Sequence, residues 1–408
     1  MPVHTVHVFI MLLLVATFVA ALSRRVHIPY TVALVAVGLA IASLGSFHVP
    51  VLSKDLLFAI FLPGLIFEAA YHLKADEFWR NKFAIIALAV PGVIVAIALT
   101  ALLVLGAASA GWLEGVGWRQ ALVFAALIAA TDPVAVVALF RELGVDRRLQ
   151  VLVEGESLLN DGTAIVLFTL ALSVATGGPA AAPSLLHMLA RFGIMVGGGV
   201  AAGVLTALGI TFLMRRLDDA ASEITLTMIA AYGSFAIAES FGVSGVIATV
   251  SAGMVCGSYA ARMAMSRATR DSVVGFWSYV SFMLNSIVFL LLGLQVHVST
   301  LADAWLAILL AYLAVTAGRA VMILGVSALL HPTRERLPAA WPPLLVIGGL
   351  RGALSMVLSI SLPESFPYRN NIVIITFGVV IVSILLQGSA TAIFARRLAA
   401  PVPPVAPE

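Results

Sequence analysis

Charge is scarce in this chain. Asp, Glu, Lys and Arg supply 11% of its 408 residues, against about a quarter in a soluble domain of ordinary composition. A single cysteine, Cys256, excludes an intramolecular disulfide and a cysteine-based metal site. The sequence has no Gly-rich loop ending in Lys-Ser or Lys-Thr, which removes the simplest route to ATP-driven work, and no cofactor is expected. What the chain does contain is apolar: 62% of residues are hydrophobic and the mean hydropathy is +1.09. No soluble core buries such a surplus, so the chain belongs in a lipid bilayer and a soluble enzyme is ruled out. The net charge of +3 and pI near 9.2 do not point to nucleic acid, because membrane proteins gather Lys and Arg in cytoplasmic loops for topological reasons.

At about 20 residues per crossing, the apolar runs resolve into thirteen candidate spans: 5–23, 28–46, 55–73, 83–106, 119–140, 149–173, 185–214, 223–240, 242–259, 273–297, 303–330, 340–363 and 371–395. The eighth and ninth are separated only by Phe241 and its neighbours, and loop charge tests whether they are two crossings or one. The odd-numbered connections carry Arg24 and Arg25; Lys74, Arg80 and Lys82; Arg141, Arg147 and Arg148; Arg215 and Arg216; Arg262, Arg267 and Arg270; and Arg334 and Arg336, with Arg396 and Arg397 after the last span. The other side has only Lys54, Arg119, Arg191 and Arg369. Positive charge marks the cytoplasm, so the N-terminus is expected outside and the C-terminus inside, and merging spans eight and nine would invert everything after them. The arginines of the first span follow its apolar run, which reads as a retained anchor rather than a cleaved signal peptide. The chain is thus expected to be an all-α polytopic membrane protein. It would have one transmembrane domain over residues 1–398 and a Pro-rich, disordered cytoplasmic tail at 399–408.

Two basic residues, Arg319 and Arg351, are left inside spans, together with the acids Glu68, Asp132, Glu154, Glu156, Asp161 and Glu239. A charge near the bilayer centre costs on the order of 3 kcal/mol on insertion scales, so such a cluster is a functional hypothesis by default. In the sixth span Glu154, Ser157 and Asp161 recur at i, i+3 and i+7 on one helical face, and Glu156 and Asn160 form a second polar stripe beside it. Two adjacent polar stripes on an otherwise apolar helix face a water- or ion-filled cavity. Glu154 also fits the cytoplasmic headgroup region, whereas Asp161 lies about 18 Å into the span at 1.5 Å per residue. In the fifth span Thr131-Asp132-Pro133 should break the helix at Asp132, because proline removes a donor and pushes its predecessor out of the α region. The twelfth span has its own interruption, Gly348-Gly349-Leu350-Arg351-Gly352. Broken segments at corresponding positions of two halves point to an inverted repeat with a cation site at the midplane. The Gly pairs Gly193/Gly197 and Gly199/Gly203 of the seventh span read as close helix packing.

Three segments carry a family resemblance: Ala130-Thr131-Asp132-Pro133-Val134-Ala135-Val136, Glu154-Gly155-Glu156-Ser157-Leu158-Leu159-Asn160-Asp161, and Gly349-Leu350-Arg351-Gly352-Ala353. They resemble signature segments of NhaP-type sodium/proton antiporters, the branch of the cation/proton antiporters shared with animal sodium/proton exchangers. Phe61 to Glu68, with Gly64 where many relatives have a second proline, and Ser286 to Leu290 resemble further segments of that family, and the similarity runs in order from residue 55 to residue 395. The resemblance implies thirteen helices in two inverted six-helix repeats, spans five and twelve being broken and crossing. It also implies a homodimer in the cell membrane, with a mobile core domain sliding against a dimerisation domain. Asp161 would be the ion- and proton-binding carboxylate. Asp132, Ser157, Glu68 and the Thr131 main-chain carbonyl would complete or support a Na+ site, with Asn160 the neutral neighbour that marks the electroneutral branch. Glu156 would sit in a buried ion pair, with Arg319 the first choice of partner and Arg351 the second. Many relatives carry a cytosolic regulatory domain after the last helix, and this chain is expected to be too short for one.

The exchange chemistry follows from the residues alone. A carboxylate in a low-dielectric cavity is costly when charged and alone, so it holds either a proton or a cation, and competition for one site is exchange. Carboxylate, hydroxyl and carbonyl oxygens suit Na+ and Li+, and K+ stays open as an alternative cargo. A different class of function, an intramembrane aspartyl protease using Asp132 and Asp161 as a dyad, sits poorly with the proline after Asp132, the amide beside Asp161 and two intramembrane arginines.

Overall fold

Backbone amides in hydrocarbon find no water, so each apolar run satisfies them internally as a helix. The computed structural model describes residues 2–26, 30–43, 57–113, 115–177, 185–217, 219–295 and 298–398, and every regular element among them is helical. The tail at 399–408 lies outside the described residues. In chain order the helices are α1 (Pro2–Val26), α2 (Tyr30–Ser43), α3 (Leu62–His72), α4 (Ala75–Arg80), α5 (Lys82–Ser109), α6 (Trp118–Leu127), α7 (Val134–Glu142), α8 (Arg147–Thr176) and α9 (Leu185–Met214). They continue as α10 (Ala220–Ser240), α11 (Gly245–Met263), α12 (Arg267–Leu294), α13 (Val298–Asp303), α14 (Trp305–Leu330), α15 (Trp341–Ile347), α16 (Ala353–Ile360) and α17 (Arg369–Ala395).

Among the described residues, α5, α8 to α12, α14 and α17 are long and apolar enough to cross a bilayer, and shorter apolar helices lie at Ile10–Ser23, Tyr30–Ser43 and Phe58–His72. The stretches 223–240 and 242–259 form two separate helices. Gly242 turns the chain with φ +68°, and the Ser244 hydroxyl accepts from the Ile247 amide at 3.3 Å. Glu239, which reads from sequence as an intramembrane acid, sits at this turn and accepts from the Gly245 amide at 3.0 Å.

The closest helix packing falls into two groups. One holds α1, α2, α3 and α9 to α12; the other holds α5 to α8 and α13 to α17. Large apolar side chains on α9, such as Leu186 and Leu205, are exposed, as expected of a surface solvated by lipid tails rather than water. Its glycines divide. A Cβ at Gly199 would stand 2.7 Å from the Ser244 carbonyl oxygen and one at Gly203 2.0 Å from that of Ala248, so these two let α9 approach α11 closely. Gly193 and Gly197 meet nothing within 4 Å. The packing expectation for the first pair is therefore corrected: in the single chain that pair faces outward.

Both expected interruptions are present, as α6/α7 and α15/α16, each two short helices with irregular backbone between. The two breaks touch. The Asp132 amide donates to the Leu350 carbonyl at 2.8 Å, and a Cβ at Gly352 would lie 2.4 Å from the Cβ of Asp132. Cβ atoms cannot rotate out of each other's way, so only glycine permits this crossing. Replacing Gly352 with alanine should overpack it and cost about 1–3 kcal/mol. Thermal unfolding of the detergent-purified protein checks this: the midpoint should fall for Gly352→Ala and stay level or rise for Gly193→Ala, whose Cβ enters open space.

Candidate functional site

The site is assembled on α8, whose two polar stripes face different surroundings. On one stripe Glu156 meets Arg319 of α14 in a bidentate pair, with Nη1 to Oε1 and Nη2 to Oε2 both 3.1 Å. Both side chains are buried, at 3% and 5% exposure, so neither charge has water to fall back on. Arg319 Nε donates to the Leu345 carbonyl at 3.1 Å, which fastens the end of α15 to the pair. Asn160, one turn on, directs its amide nitrogen to the Ala129 carbonyl and the Thr131 hydroxyl, each 3.1 Å away, and lies 3.4 Å from Glu156 Oε1.

The break between α6 and α7 is wider than the sequence suggests. Proline at 133 predicts an interruption at Asp132, yet the helix already ends at Leu127. The reason is tertiary: Arg351 Nη1 reaches the carbonyls of Ile128 and Ala129 at 2.7 Å and of Ala130 at 3.3 Å, taking over acceptors that a further helical turn would have used. Its cationic charge meets the partial negative charge at the C-terminus of α6, so Arg351 is neutralised without a carboxylate. It does not pair with Glu156. The Arg351 amide donates to the Ser383 hydroxyl at 3.0 Å, and that hydroxyl donates to Gln387 Oε1 at 2.6 Å; both lie in a π-helical turn of α17.

On the other stripe of α8 lie Asp161, Ser157 and Glu154, all three lining one cavity of about 270 Å³. Ser157 donates its hydroxyl proton to the Thr131 carbonyl and accepts from the Thr131 hydroxyl, which leaves one oxygen lone pair. Thr131 Oγ1 stands 3.3 Å from Ser157 Oγ. Asp132 also lines the cavity, and its Oδ1 accepts from the Val134 amide at 3.0 Å, an Asx-type turn at the start of α7. Across the cavity is a wall from the other helix group. Glu68 of α3 lies there with His72 Nδ1 at 3.3 Å from its carboxylate, and Ser281 and Asn285 of α12 are hydrogen-bonded to each other at 3.2 Å. Glu154, on the same cavity wall, pairs with Arg141 at 2.6 Å, the arginine side chain being half exposed.

Asp161, Asp132, Ser157, Thr131 and Glu68 therefore meet around one cavity, whereas Asn160, Glu156, Arg319 and Arg351 stand behind it and hold its walls. Ser281, Asn285 and His72 were missed from sequence. Ser281 and Asn285 are a polar i, i+4 pair in an apolar span, a signal of the same kind that marked α8. Among the described residues no three His, Cys, Asp or Glu side chains converge as a metal cluster. The donors at the cavity are carboxylate, hydroxyl and carbonyl oxygens, a set suited to a hard monovalent cation in transit.

Carboxylates in a cavity where two interrupted membrane helices cross define an ion-coupled transporter of the broken-helix class. The chain belongs to the sodium/hydrogen exchanger, transmembrane family, whose model matches residues 10–397. Within it the chain is of the NhaP type. It is 38% identical over 385 residues to the Na+/H+ antiporter ApNhaP of Aphanothece halophytica, covering 93% of this chain and 72% of that one. To the low-affinity Na+/H+ antiporter NhaS1 of Synechocystis it is 38% identical over 392 residues, covering 94% and 73%. In fold it resembles the sodium proton antiporter MjNhaP1 of Methanocaldococcus jannaschii, with TM-score 0.78 at 18% identity over 98% of this chain and 99% of that one.

Removing one member of a buried ion pair leaves its partner uncompensated and typically costs about 3–5 kcal/mol. Glu156→Ala should accordingly lower the thermal midpoint and the yield. Glu156→Met with Arg319→Met should recover part of that loss, while Glu156→Met with Arg351→Met should recover none, because Arg351 bonds carbonyls instead. Unfolding midpoints of the three variants decide between the partners.

Proposed function

We propose that this protein is an electroneutral antiporter exchanging one Na+ or Li+ for one H+, with Asp161 as the carboxylate that carries each in turn. The observation that supports it most is the convergence of Asp161 and Asp132 on one cavity at the crossing of two broken helices. The family and the named relatives favour a sodium/proton reading, and nothing in them favours potassium exchange or proteolysis.

Asp161 loses its hydration on entering the cavity and regains the energy by holding a proton or a cation. Ser157 offers one lone pair, its proton being committed to the Thr131 carbonyl and its other lone pair to the Thr131 hydroxyl, and that carbonyl has a second lone pair for the ion. Asp132, tethered by the Val134 amide, polarises the site. Glu68 approaches from the opposite wall and completes the oxygen shell when the two walls are close. Alternating access is motion of the α5–α8 and α13–α17 group as a core domain against a dimerisation domain made of the other group. We read the chain as thirteen crossings in two inverted repeats, homodimeric, in the inner cell membrane, with the N-terminus outside and the C-terminus in the cytoplasm.

Two measurements test this reading. In liposomes with an internal pH dye, Asp161→Asn should fold and reach the membrane yet show no sodium-driven proton flux, since the amide keeps the shape and cannot trade a proton for a cation. Flux persisting in that variant removes Asp161 from the role, and addition of Na+, Li+ or K+ in turn reads selectivity in the same vesicles. The second is stoichiometry: one carboxylate alternating between one proton and one monovalent cation moves no net charge. With potential clamped by valinomycin, the reversal point should not shift, although an uncompensated charge would contribute about 2.3 kcal/mol per 100 mV. A shift would mean that a second proton travels, with Asp132 the first suspect.

A further inference from the structure

A second pocket, of about 360 Å³, lies away from the ion cavity between α4 and the ends of α11 and α12, lined by Lys74, Asp76, Glu77, Arg80, Arg262 and Arg270 with Ser258 beside them. The transport mechanism uses none of these groups. Both carboxylates are already committed. Asp76 Oδ2 is 2.6 Å from Arg262 Nη2, and Arg262, with a smaller contribution from Arg80, holds that carboxyl below the usual carboxylate range. Glu77 is held by Arg147 of α8 at 2.6 Å and reaches Lys74 only at 3.9 Å. That leaves Arg80 and Arg270 facing the same space without a carboxylate partner among the described residues. Asp271, next along the chain, does not line it.

A second observation gives the depth of the pocket. Trp79 in the last turn of α4 and Phe83 in the first turn of α5 are exposed, at 61% and 64%, and Lys82 Nζ lies over both rings at 5.1 and 5.3 Å. Exposed aromatic rings with a lysine snorkelling beside them mark the level of lipid headgroups. The pocket is on the face whose loops carry most of the Lys and Arg, the face that meets the anionic leaflet. Planar guanidinium groups bind phosphate oxygens in pairs. We propose that this pocket binds the phosphoryl group of an anionic phospholipid, with Arg80 and Arg270 as its principal donors.

The placement gives such a lipid a mechanical role. The short helix α4 is one of the links between the two helix groups: Glu77 ties it to the start of α8, while Asp76 and the Ala75 amide, which donates to Ser258 Oγ at 3.0 Å, tie it to the end of α11. A phosphoryl group bridging Arg80 and Arg270 adds a third tie, between α4 and α12, and so restrains one of the segments that join the moving parts.

The test titrates detergent-purified protein with phosphatidylglycerol, phosphatidylcholine or inorganic phosphate while thermal unfolding is followed. Phosphatidylglycerol should raise the midpoint and phosphatidylcholine should not. Arg80→Gln with Arg270→Gln should lose most of the rise, and Arg80→Lys with Arg270→Lys should retain part of it. Arg334→Gln with Arg336→Gln, which removes equal charge from another loop on the same face, should keep the rise in full. An equal rise with inorganic phosphate, lost in the same Gln variant, supports the phosphoryl site and assigns it to a soluble phosphate compound rather than to lipid. No rise with either, a rise that survives in the Arg80/Arg270 Gln variant, or one lost equally in the Arg334/Arg336 control overturns the proposal. Sodium-driven proton flux in pure phosphatidylcholine liposomes should match wild type for all three variants, which shows that they are folded.

Discussion

A helix interrupted inside a bilayer exposes carbonyls and amides that no water will take, and the structure of this protein follows from how those groups are satisfied. The carbonyls at the end of α6 are taken by one guanidinium, that of Arg351. The amide of Asp132 is taken by the carbonyl of Leu350 in the other break. Each interruption supplies what the other lacks, so neither would persist alone. Because the partner groups come from segments more than two hundred residues apart, the breaks also fix where α6, α7, α15 and α16 cross.

Once the crossing exists, α8 has a defined environment on each side. The stripe of Glu156 and Asn160 faces the crossing and is consumed by it: Glu156 holds Arg319, and Asn160 holds the backbone and hydroxyl of the break. The stripe of Ser157 and Asp161 is thereby left to face open space. Two buried arginines and one buried glutamate would leave a surplus positive charge, but Arg351 spends its charge on the carbonyl end of α6, so the region behind the cavity is satisfied without drawing on Asp132 or Asp161. That separation lets one helix be rigidly held and chemically available at once.

The cavity lies between the two helix groups rather than within either. Asp161, Asp132, Ser157 and Thr131 come from one group, Glu68, Ser281 and Asn285 from the other. Relative motion of the groups would change the oxygen shell around a cation without altering the hydrogen bonds that build the crossing. The same boundary runs through α4, whose two carboxylates reach arginines on opposite sides of it.

Much of this was legible in the sequence because membrane insertion imposes one-dimensional rules. Apolar runs must be helical, and a charged or proline- and glycine-broken stretch in such a run has to be compensated; hence the place of the two breaks and the polar stripes of α8, with Asp161 on the stripe that lines the cavity, could be read directly. Partnership could not. That Glu156 takes Arg319 while Arg351 takes carbonyls depends on which side of the crossing each side chain emerges, and sequence spacing does not encode that. The same holds for the early end of α6, a tertiary override of local preference, for the turn role of Glu239, and for Gly193 and Gly197 facing outward while Gly199 and Gly203 meet α11. Ser281 and Asn285 join the site only because α12 is packed opposite α8. Local chemistry determined what each segment must satisfy, and the three-dimensional packing alone decided which group satisfies it, because in hydrocarbon a partner must be in direct contact to count.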